Sequence, residues 1–211
     1  MGRAIAEALD LLYLDTGTMY RAVAWLALRR GIDPRDEAAV TALAANAAFT
    51  FPTLGRADRV NPPIVIDGLD ASDGIREPSV DASVSVVASY AGVRAALVRE
   101  QQAIARERGV VMVGRDIGTV VLPRASLKIY LVASAEERAR RRFEERKALD
   151  EDADYEEIYR AMVRRDQLDA ERAHSPLRPA DDAVLLDSTG LSIQEVVERA
   201  IALARAAEAR R

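Results

Sequence analysis

Cysteine is absent from this chain, and histidine occurs only once. The lack of cysteine excludes disulfides, thiolate zinc sites and cysteine nucleophiles, and a single histidine gives no basis for a histidine metal cluster. Long apolar runs are missing as well, since none approaches the ~18–20 residues that a membrane helix requires, and no signal-peptide pattern is visible. These absences predict a cytoplasmic protein with no membrane partner and no metal site of its own.

Lysine is also scarce, because only Lys128 and Lys147 are lysines among 30 basic residues and all the others are arginine. GC-rich coding would produce the same bias, so the positions of the arginines must decide whether they bind phosphate. The net charge of −4 argues against a nucleic-acid partner. With 211 residues, 49% of them hydrophobic and 30% charged, the chain can bury a full core as one domain, with or without an insertion.

Short apolar strands alternate with helices along the chain. The strands lie near residues 11–14, 110–114, 127–132 and 183–187, and they lack the period-two alternation of half-exposed strands. This pattern is typical of a parallel sheet covered by helices on both faces, which predicts an α/β fold. Ligands bind beyond the carboxyl ends of such strands. The candidate site segments are therefore residues 15–17, 114–116, Ser134 and residues 187–189.

Apolar spacing and turn signals predict the remaining elements. The predicted helices begin at Met1 and cover about residues 18–31, 37–47 and 79–108, and residues 48–68 are predicted to form a hairpin. Capping boxes at Ser134–Glu137 and Ser192–Glu195 predict the starts of two further helices. A second charged helix is expected to reach Ala173.

Two motifs at strand ends carry candidate chemistry. In LDTGTMYR, Asp15 ends a strand and Arg21 lies one turn into the next helix, so a hydroxyl and a guanidinium would face an anion there. An ordinary strand-to-helix turn with a solvated arginine is the alternative. In VVMVGRDIGTVVLP, Arg115 and Asp116 form either a structural ion pair or a phosphate clamp beside a carboxylate that accepts from an exocyclic amine.

Two charged helical segments carry the other candidates. Arg165, Asp169 and Arg172 are spaced by four and three residues and so share one helix face, although an ion-paired solvent face has the same pattern. The segment EERARRRFEERK, which includes Arg141, is either a salt-bridged solvent helix or a mobile arm that brings arginine to a phosphoryl group in transfer. Such transfer needs positive charge around the moving group more than an acid or base. His174 is assigned no catalytic role.

From about Arg3 to Ala206 the chain resembles one family, the bacterial cytidylate kinases. The resemblance is carried by YLDTGTMYRAV, VIDGLDASDGIREPSV, ASVSVVASYAGVRAAL, GRDIGTVVLP, LKIYLVASAEERARRR and RDQLDAERAHSPLRPADDAVLLDSTGLSI. It implies a single P-loop kinase domain over residues 1–211, with an insert that binds the nucleoside monophosphate at about 48–108 and a helical lid at about 138–160. It further implies a monomer that, with Mg²⁺, transfers the γ-phosphoryl group of ATP to CMP or dCMP.

The resemblance also implies roles for residues in the first half of the chain. The Thr16 hydroxyl would contact the sugar, and Arg21 would hold the phosphate of the acceptor nucleotide. Ser85 and Arg94 would read the cytosine base.

In the second half, the resemblance implies that Arg115 clamps phosphate and that Asp116 accepts from the cytosine amine. Arg165 and Asp169 would face the sugar, and Arg172 would reach the phosphate. The charged helix would be the lid that closes over the triphosphate. The side chains expected to supply catalytic charge are Arg115, Arg141, Arg165 and Arg172.

The sequence departs from the family pattern at its start. The family has a strand and a glycine-rich GxxxxGK[ST] loop ahead of the first helix, whereas Gly2 is the only glycine before Gly17 here and the motif does not occur. That loop cradles the donor phosphates and holds Mg²⁺, so no cofactor-binding residue is predicted in this chain. Two accounts are open. Either the natural protein begins further upstream, which the cost of losing a central strand favours, or the chain is a catalytically dead nucleotide-binding or regulatory remnant.

Overall fold

A computed structural model describes residues 1–51, 63–148, 152–170 and 178–209, without the side chains of Arg165 and residues 168–170. The chain divides into two compact units. The first, Leu11–Gly114, is called the 11–114 unit; the second joins Met1–Asp10 to Arg115–Arg211 and is called the 115–211 unit. Both contain parallel strands flanked by helices, so the predicted α/β class is confirmed.

In chain order, the helices and strands are α1 (Gly2–Ala8), β1 (Leu12–Asp15), α2 (Thr16–Arg29), α3 (Glu37–Asn46), β2 (Phe49–Thr50), β3 (Val65–Ile66), β4 (Leu69–Asp70), α4 (Pro78–Val87), α5 (Ala91–Glu107), β5 (Val110–Val113), β6 (Ile129–Val132), α6 (Ala135–Ala148), α7 (Tyr155–Ala170), β7 (Val184–Asp187) and α8 (Ile193–Glu208). A 3₁₀ turn (Gly74–Arg76) precedes α4, and a π-helical turn (Ile117–Val121) follows β5. The predicted extension of α7 to Ala173 lies outside the described residues.

Strand pairing differs from the prediction of one parallel sheet. In the 11–114 unit β1 pairs in parallel with β5, and in the 115–211 unit β6 pairs in parallel with β7. The described residues therefore form two parallel pairs in place of one four-stranded sheet. The apolar character of a strand indicates that it is covered by helices, but the choice of its neighbour depends on contacts far away in sequence.

The predicted hairpin is confirmed in its described part. Strand β2 pairs antiparallel with β3, and β4 adds a third antiparallel strand that was not predicted. Asp67 and Gly68 join β3 to β4 with φ angles of 50° and 76°. Positive φ at both central residues is what a tight two-residue hairpin turn requires. Residues 52–62 of the predicted hairpin lie outside the described part of the chain.

Helix α2 is the centre of the core in the 11–114 unit. Asp15 caps its start, and at its end Gly31, with a φ of 68°, lets the amide of Ile32 donate to the carbonyl of Ala27 at 2.9 Å. Its small and apolar side chains allow α3, α4 and α5 to pack closely around it. Fully buried members of this core include Met19, Ala22, Val23, Leu26, Val40, Val80, Val87, Val93 and Leu97.

The 115–211 unit has a much smaller described core. Leu186 from β7 packs with Val196 and Ala200 from α8, and Ile5 from α1 lies against them. Helices α6 and α7 are neighbours, and they span a longer range than the predicted lid of 138–160. Among the described residues no single helix is long and apolar enough to cross a membrane; α4 and α5 together would be, but they meet at a bend of 97°.

Candidate functional site

The carboxyl end of β1 runs directly into α2 and places the first predicted residues at the edge of the 11–114 unit. The Asp15 carboxylate accepts from the Gly17 amide at 2.9 Å, and the Asp15 carbonyl accepts from the Thr18 hydroxyl at 2.6 Å. Thr16 is only 5% exposed, and its hydroxyl donates to the carbonyl of Val113 at 3.1 Å. Because this proton is committed to β5, a sugar hydroxyl can contact Thr16 only by donating to its oxygen.

Burial and charge compete at the Asp15 carboxylate. Burial raises its pKa, while the Gly17 amide and the positive charges of Arg21 and Arg76 lower it, and the net result is a pKa above the ordinary 3.8. The positive potential of two arginines therefore extends to the end of β1, which is where a bound anion is expected.

Arg21 is held by two acceptors from different elements. Its Nη1 donates to the carbonyl of Ile75 at 3.0 Å and to the carboxylate of Asp81 at 2.5 Å. Ile75 is 2% exposed and belongs to the 3₁₀ turn, while Asp81 lies in the first turn of α4. The sequence predicts no role for Asp81. The signal that was available is an acidic residue in the first turn of a helix, a pattern too common to identify a partner for Arg21.

The predicted base-reading residues of this unit lie near α2. The guanidinium carbon of Arg94, at the start of α5, is 5.9 Å from the centre of the Tyr20 ring, and Tyr20 directly precedes Arg21. Ser85 is exposed and lies one helical turn after Asp81, on the same side of α4. The four predicted residues of the 11–114 unit, Thr16, Arg21, Ser85 and Arg94, are thus grouped around α2.

Arg115 and Asp116 open the 115–211 unit. Asp116 is 9% exposed, and its carbonyl accepts from the amides of Val120 and Val121 at 2.8 and 3.2 Å. The second of these bonds spans five residues and is part of the π-helical turn, a feature often found at functional sites. Arg115 is half-buried. The predicted roles of these side chains in clamping phosphate and accepting from a base amine stay predictions.

A bidentate ion pair between Arg138 and Asp166 joins α6 to α7. Arg138 donates through Nη1 and Nη2 to the two carboxylate oxygens of Asp166, at 2.9 and 2.5 Å, and through Nε to the carbonyl of Ala133 at 3.2 Å. The hydrogen bonds to Asp166 raise the pKa of Arg138. The sequence predicts no role for either residue, because an ion pair between helices cannot be recognised from spacing within one helix.

Arg141, predicted to be catalytic, is bound to protein oxygens. Its Nε donates to Glu137 at 2.7 Å, Nη1 to the Ser188 hydroxyl at 3.2 Å, and Nη2 to the carbonyls of Ser188 and Leu191 at 2.5 and 3.2 Å. These four bonds occupy four of the five N–H donors of Arg141, so only the second N–H of Nη1 can reach a phosphoryl group without displacing an acceptor. Arg140 and Arg142 pair with glutamates of their own helix, as in the salt-bridged alternative.

Three predicted residues cannot be placed through their side chains. Arg165 and Asp169 belong to α7, but only their backbone is described, and Arg172 lies outside the described residues, as does His174. Their roles stay predictions. Among the residues that are described, no group of three or more histidine, aspartate or glutamate side chains could hold a metal ion.

Two surface cavities lie away from all of these residues. Their volumes are about 270 and 340 Å³, and both are lined by Phe49, Glu100 and Ala103 along the outer face of α5. Neither cavity includes a predicted site residue. The candidate site is therefore an arrangement of charged side chains at strand and helix ends, and neither of these two surface cavities coincides with it.

Parallel strands flanked by helices, arginines at their carboxyl ends and an arginine-rich helix pair are features of the nucleoside-monophosphate kinases, a class of phosphotransferases. Comparison with known proteins specifies the family. The family model described as cytidylate kinase matches residues 1–206. The chain belongs to the cytidylate kinase family, as the sequence resemblance predicted.

The relatives named cytidylate kinase are similar over nearly the whole chain. The protein from Bacillus licheniformis is 46% identical over 94% of this chain and 87% of its own length. The protein from Desulforamulus reducens is 49% identical over 95% of this chain and 88% of its own length. The protein from Geobacter sulfurreducens is 43% identical over 98% of this chain and 87% of its own length.

Proposed function

We propose that this chain catalyses the transfer of the γ-phosphoryl group of ATP to CMP or dCMP, giving ADP and CDP or dCDP. The observation that carries the proposal is the grouping of Thr16, Arg21, Ser85 and Arg94 around α2, in a chain whose relatives are named cytidylate kinases. ATP is the phosphoryl donor that membership of a kinase family implies.

The acceptor nucleotide is held at its phosphate, sugar and base. Arg21 binds the phosphate, and the oxygen of Thr16 accepts from a sugar hydroxyl. Ser85 and Arg94 pair with the polar edge of cytosine. A different base would leave such groups unpaired, and this is the kind of contact that gives strong discrimination between substrates.

The reaction requires no protein nucleophile and no general base. The two nucleotides are positioned in line, and arginines neutralise the charge on the group in transfer, a role proposed for Arg115, Arg165 and Arg172. Closure of the α6–α7 pair would exclude water. Among the described residues no group of carboxylates could hold Mg²⁺. The contribution that we propose for this chain is therefore made by its arginines and its hydrogen-bonding side chains. That the enzyme is monomeric and cytoplasmic stays a prediction.

A second candidate function is a nucleotide-binding or regulatory protein without turnover. The observation that favours it is the lack of a GxxxxGK[ST] motif in the 211 residues. Such a protein would keep affinity for CMP and would form no CDP.

Calorimetric titration with CMP, dCMP, UMP and AMP tests the proposal, followed by an assay for CDP formation from ATP and CMP. Both are made with the 211-residue chain and with the product of the same reading frame extended upstream. We expect CMP and dCMP to bind at least about tenfold more tightly than UMP and AMP, since each competitor mispairs at the base. Arg21→Ala should weaken CMP binding.

The outcomes separate the two functions. CDP formation by either the 211-residue chain or the extended chain supports the proposed kinase activity. Binding of CMP without CDP formation in both forms supports the regulatory protein. Failure of CMP and dCMP to bind in both forms contradicts both.

A further inference from the structure

The ion pair between Arg21 and Asp81 links α2 to the start of α4. The Nη1 atom of Arg21 lies 2.5 Å from the Asp81 carboxylate and 3.0 Å from the Ile75 carbonyl. One nitrogen therefore serves both acceptors, and its two protons are both committed.

The opposite edge of the same guanidinium carries the other donors. In the described part of the chain no hydrogen bond is recorded from Nε or Nη2 of Arg21, whose side chain is 35% exposed. Nε and Nη2 carry the parallel N–H groups with which arginine makes bidentate hydrogen bonds to carboxylates and phosphates. Because Ile75 and Asp81 both bind Nη1, the Nε–Nη2 edge of the guanidinium is directed away from Asp81 and can bind an anion.

The acceptors on Nη1 differ in rigidity. Ile75 is buried, and its 3₁₀ turn packs closely against Trp25, since the Nε1 atom of Trp25 leaves no room for a Cβ on Gly74. The Asp81 side chain, in the first turn of α4, is 58% exposed. An exposed ion pair contributes little to stability, so the value of this pair must lie in the orientation that it gives Arg21.

We propose that Asp81 is a positioning residue that orients Arg21 so that its Nε–Nη2 edge receives the phosphate of the acceptor nucleotide. This inference rests on the proposed function, because it concerns the same phosphate contact. Asp81 does not touch the substrate; it fixes the rotation of the guanidinium through Nη1. A competing interpretation is that Asp81 blocks the phosphate and must be displaced by it.

Substitutions at Asp81 separate the two interpretations. Asp81→Ala removes both the acceptor and the charge, whereas Asp81→Asn removes the charge and keeps an oxygen that can accept from Nη1. Glu77→Ala is the matched control, because Glu77 is an exposed acidic residue at the same end of α4 that makes no recorded side-chain capping bond. Each variant is titrated calorimetrically with CMP and with cytidine, which lacks the phosphate.

We expect Asp81→Ala to weaken CMP binding about fivefold, the effect of losing one charge-assisted hydrogen bond at an exposed position. Asp81→Asn should stay within about twofold of the wild type, and Glu77→Ala likewise, because screening makes the loss of a single surface charge a small effect. Cytidine affinity should not change in any variant. In an Arg21→Ala background, Asp81→Ala should have no further effect on CMP binding.

Two results would overturn the inference alone. One is CMP binding by Asp81→Ala that is not weaker than that of the wild type: unchanged binding would show that Asp81 does not orient Arg21, and tighter binding by both Asp81→Ala and Asp81→Asn would show that Asp81 blocks the phosphate. The other is an equal loss for CMP and cytidine, which would show a general structural defect. If the wild-type chain binds neither CMP nor dCMP, the proposed function fails and the inference fails with it.

Discussion

At the residue scale, Asp15 shows a conflict between capping and burial. Its carboxylate caps α2 through the Gly17 amide, and Arg21 and Arg76 supply favourable charge, yet burial still raises its pKa above 3.8. A carboxyl group whose pKa is higher in the folded than in the unfolded state stabilises the fold below its unfolded pKa and loses that contribution as the pH rises through its folded pKa. The ionised Asp15 therefore costs stability at neutral pH.

Asp15→Asn should accordingly raise the free energy of unfolding at neutral pH by less than about 1 kcal/mol, because the amide oxygen still accepts from Gly17 while the buried charge is removed. The gain should shrink as the pH falls through the raised pKa of Asp15 and should be lost below 3.8, where the wild-type carboxyl group is protonated in both states. Urea unfolding of the variant and the wild type, at neutral pH and below pH 3.8, measures how the difference in free energy of unfolding changes with pH. Lower stability of the variant at neutral pH would mean that the arginines outweigh burial.

The residues around Arg21 show how much of the site could be predicted. The motif LDTGTMYR placed Arg21 correctly at the start of α2, because a strand end, a glycine and a helix are local features. Its partners Ile75 and Asp81 are 54 and 60 residues away along the chain. Nothing in the local pattern specifies them, so the anchor of the proposed phosphate contact could be found only in the folded chain.

At the scale of elements, two similar capping motifs have different outcomes. Ser192 and Glu195 form both bonds of a capping box at the start of α8, as predicted. At α6 only the bond from the Glu137 amide to Ser134 forms. The Ser134 amide donates to Thr189, and the Glu137 carboxylate binds Arg140 and Arg141. The prediction of a complete box was wrong there, because partners from a distant turn and the next helical turn replace the local ones.

The contacts of Arg141 predict a structural effect at this same scale. Its guanidinium ties α6 to the turn between β7 and α8, where Ser188 is 1% exposed. Arg141→Ala should lower the free energy of unfolding by about 2 kcal/mol, because the carbonyls of the buried Ser188 and the half-buried Leu191 lose their charged donor. Arg142→Ala is the control on the same helix, since its pair with Glu145 is exposed and should be worth almost nothing.

Urea unfolding of both variants, with CDP formation measured in parallel, separates a structural from a catalytic role for Arg141. Equal stability of Arg141→Ala and the wild type, together with loss of turnover, would support the catalytic role that the sequence predicted. A loss of stability that is absent in Arg142→Ala would show that Arg141 holds the turn in place.

At the scale of the whole molecule, the two units differ in how much apolar surface they bury. The 11–114 unit has a continuous core around α2, whereas the described core of the 115–211 unit consists of Leu186, Val196 and Ala200 with a few partly buried neighbours. Leu185, Leu131 and Val184 on the parallel pair of the 115–211 unit are 65%, 40% and 37% exposed. Burial supplies most of the stability of a fold, so the two units should not be equally resistant to local opening.

Hydrogen exchange measures this difference directly. Amides in the middle of α2, from Val23 to Ala27, should exchange slowest, because their side chains are buried and opening them would expose the core. Amides in α6, where only Ala139 is buried, should exchange faster by on the order of a hundredfold or more, since opening this helix exposes little apolar surface. Equal protection of α2 and α6 would show that the two units open together, and that the ion pairs of α6 contribute far more than exposed pairs usually do.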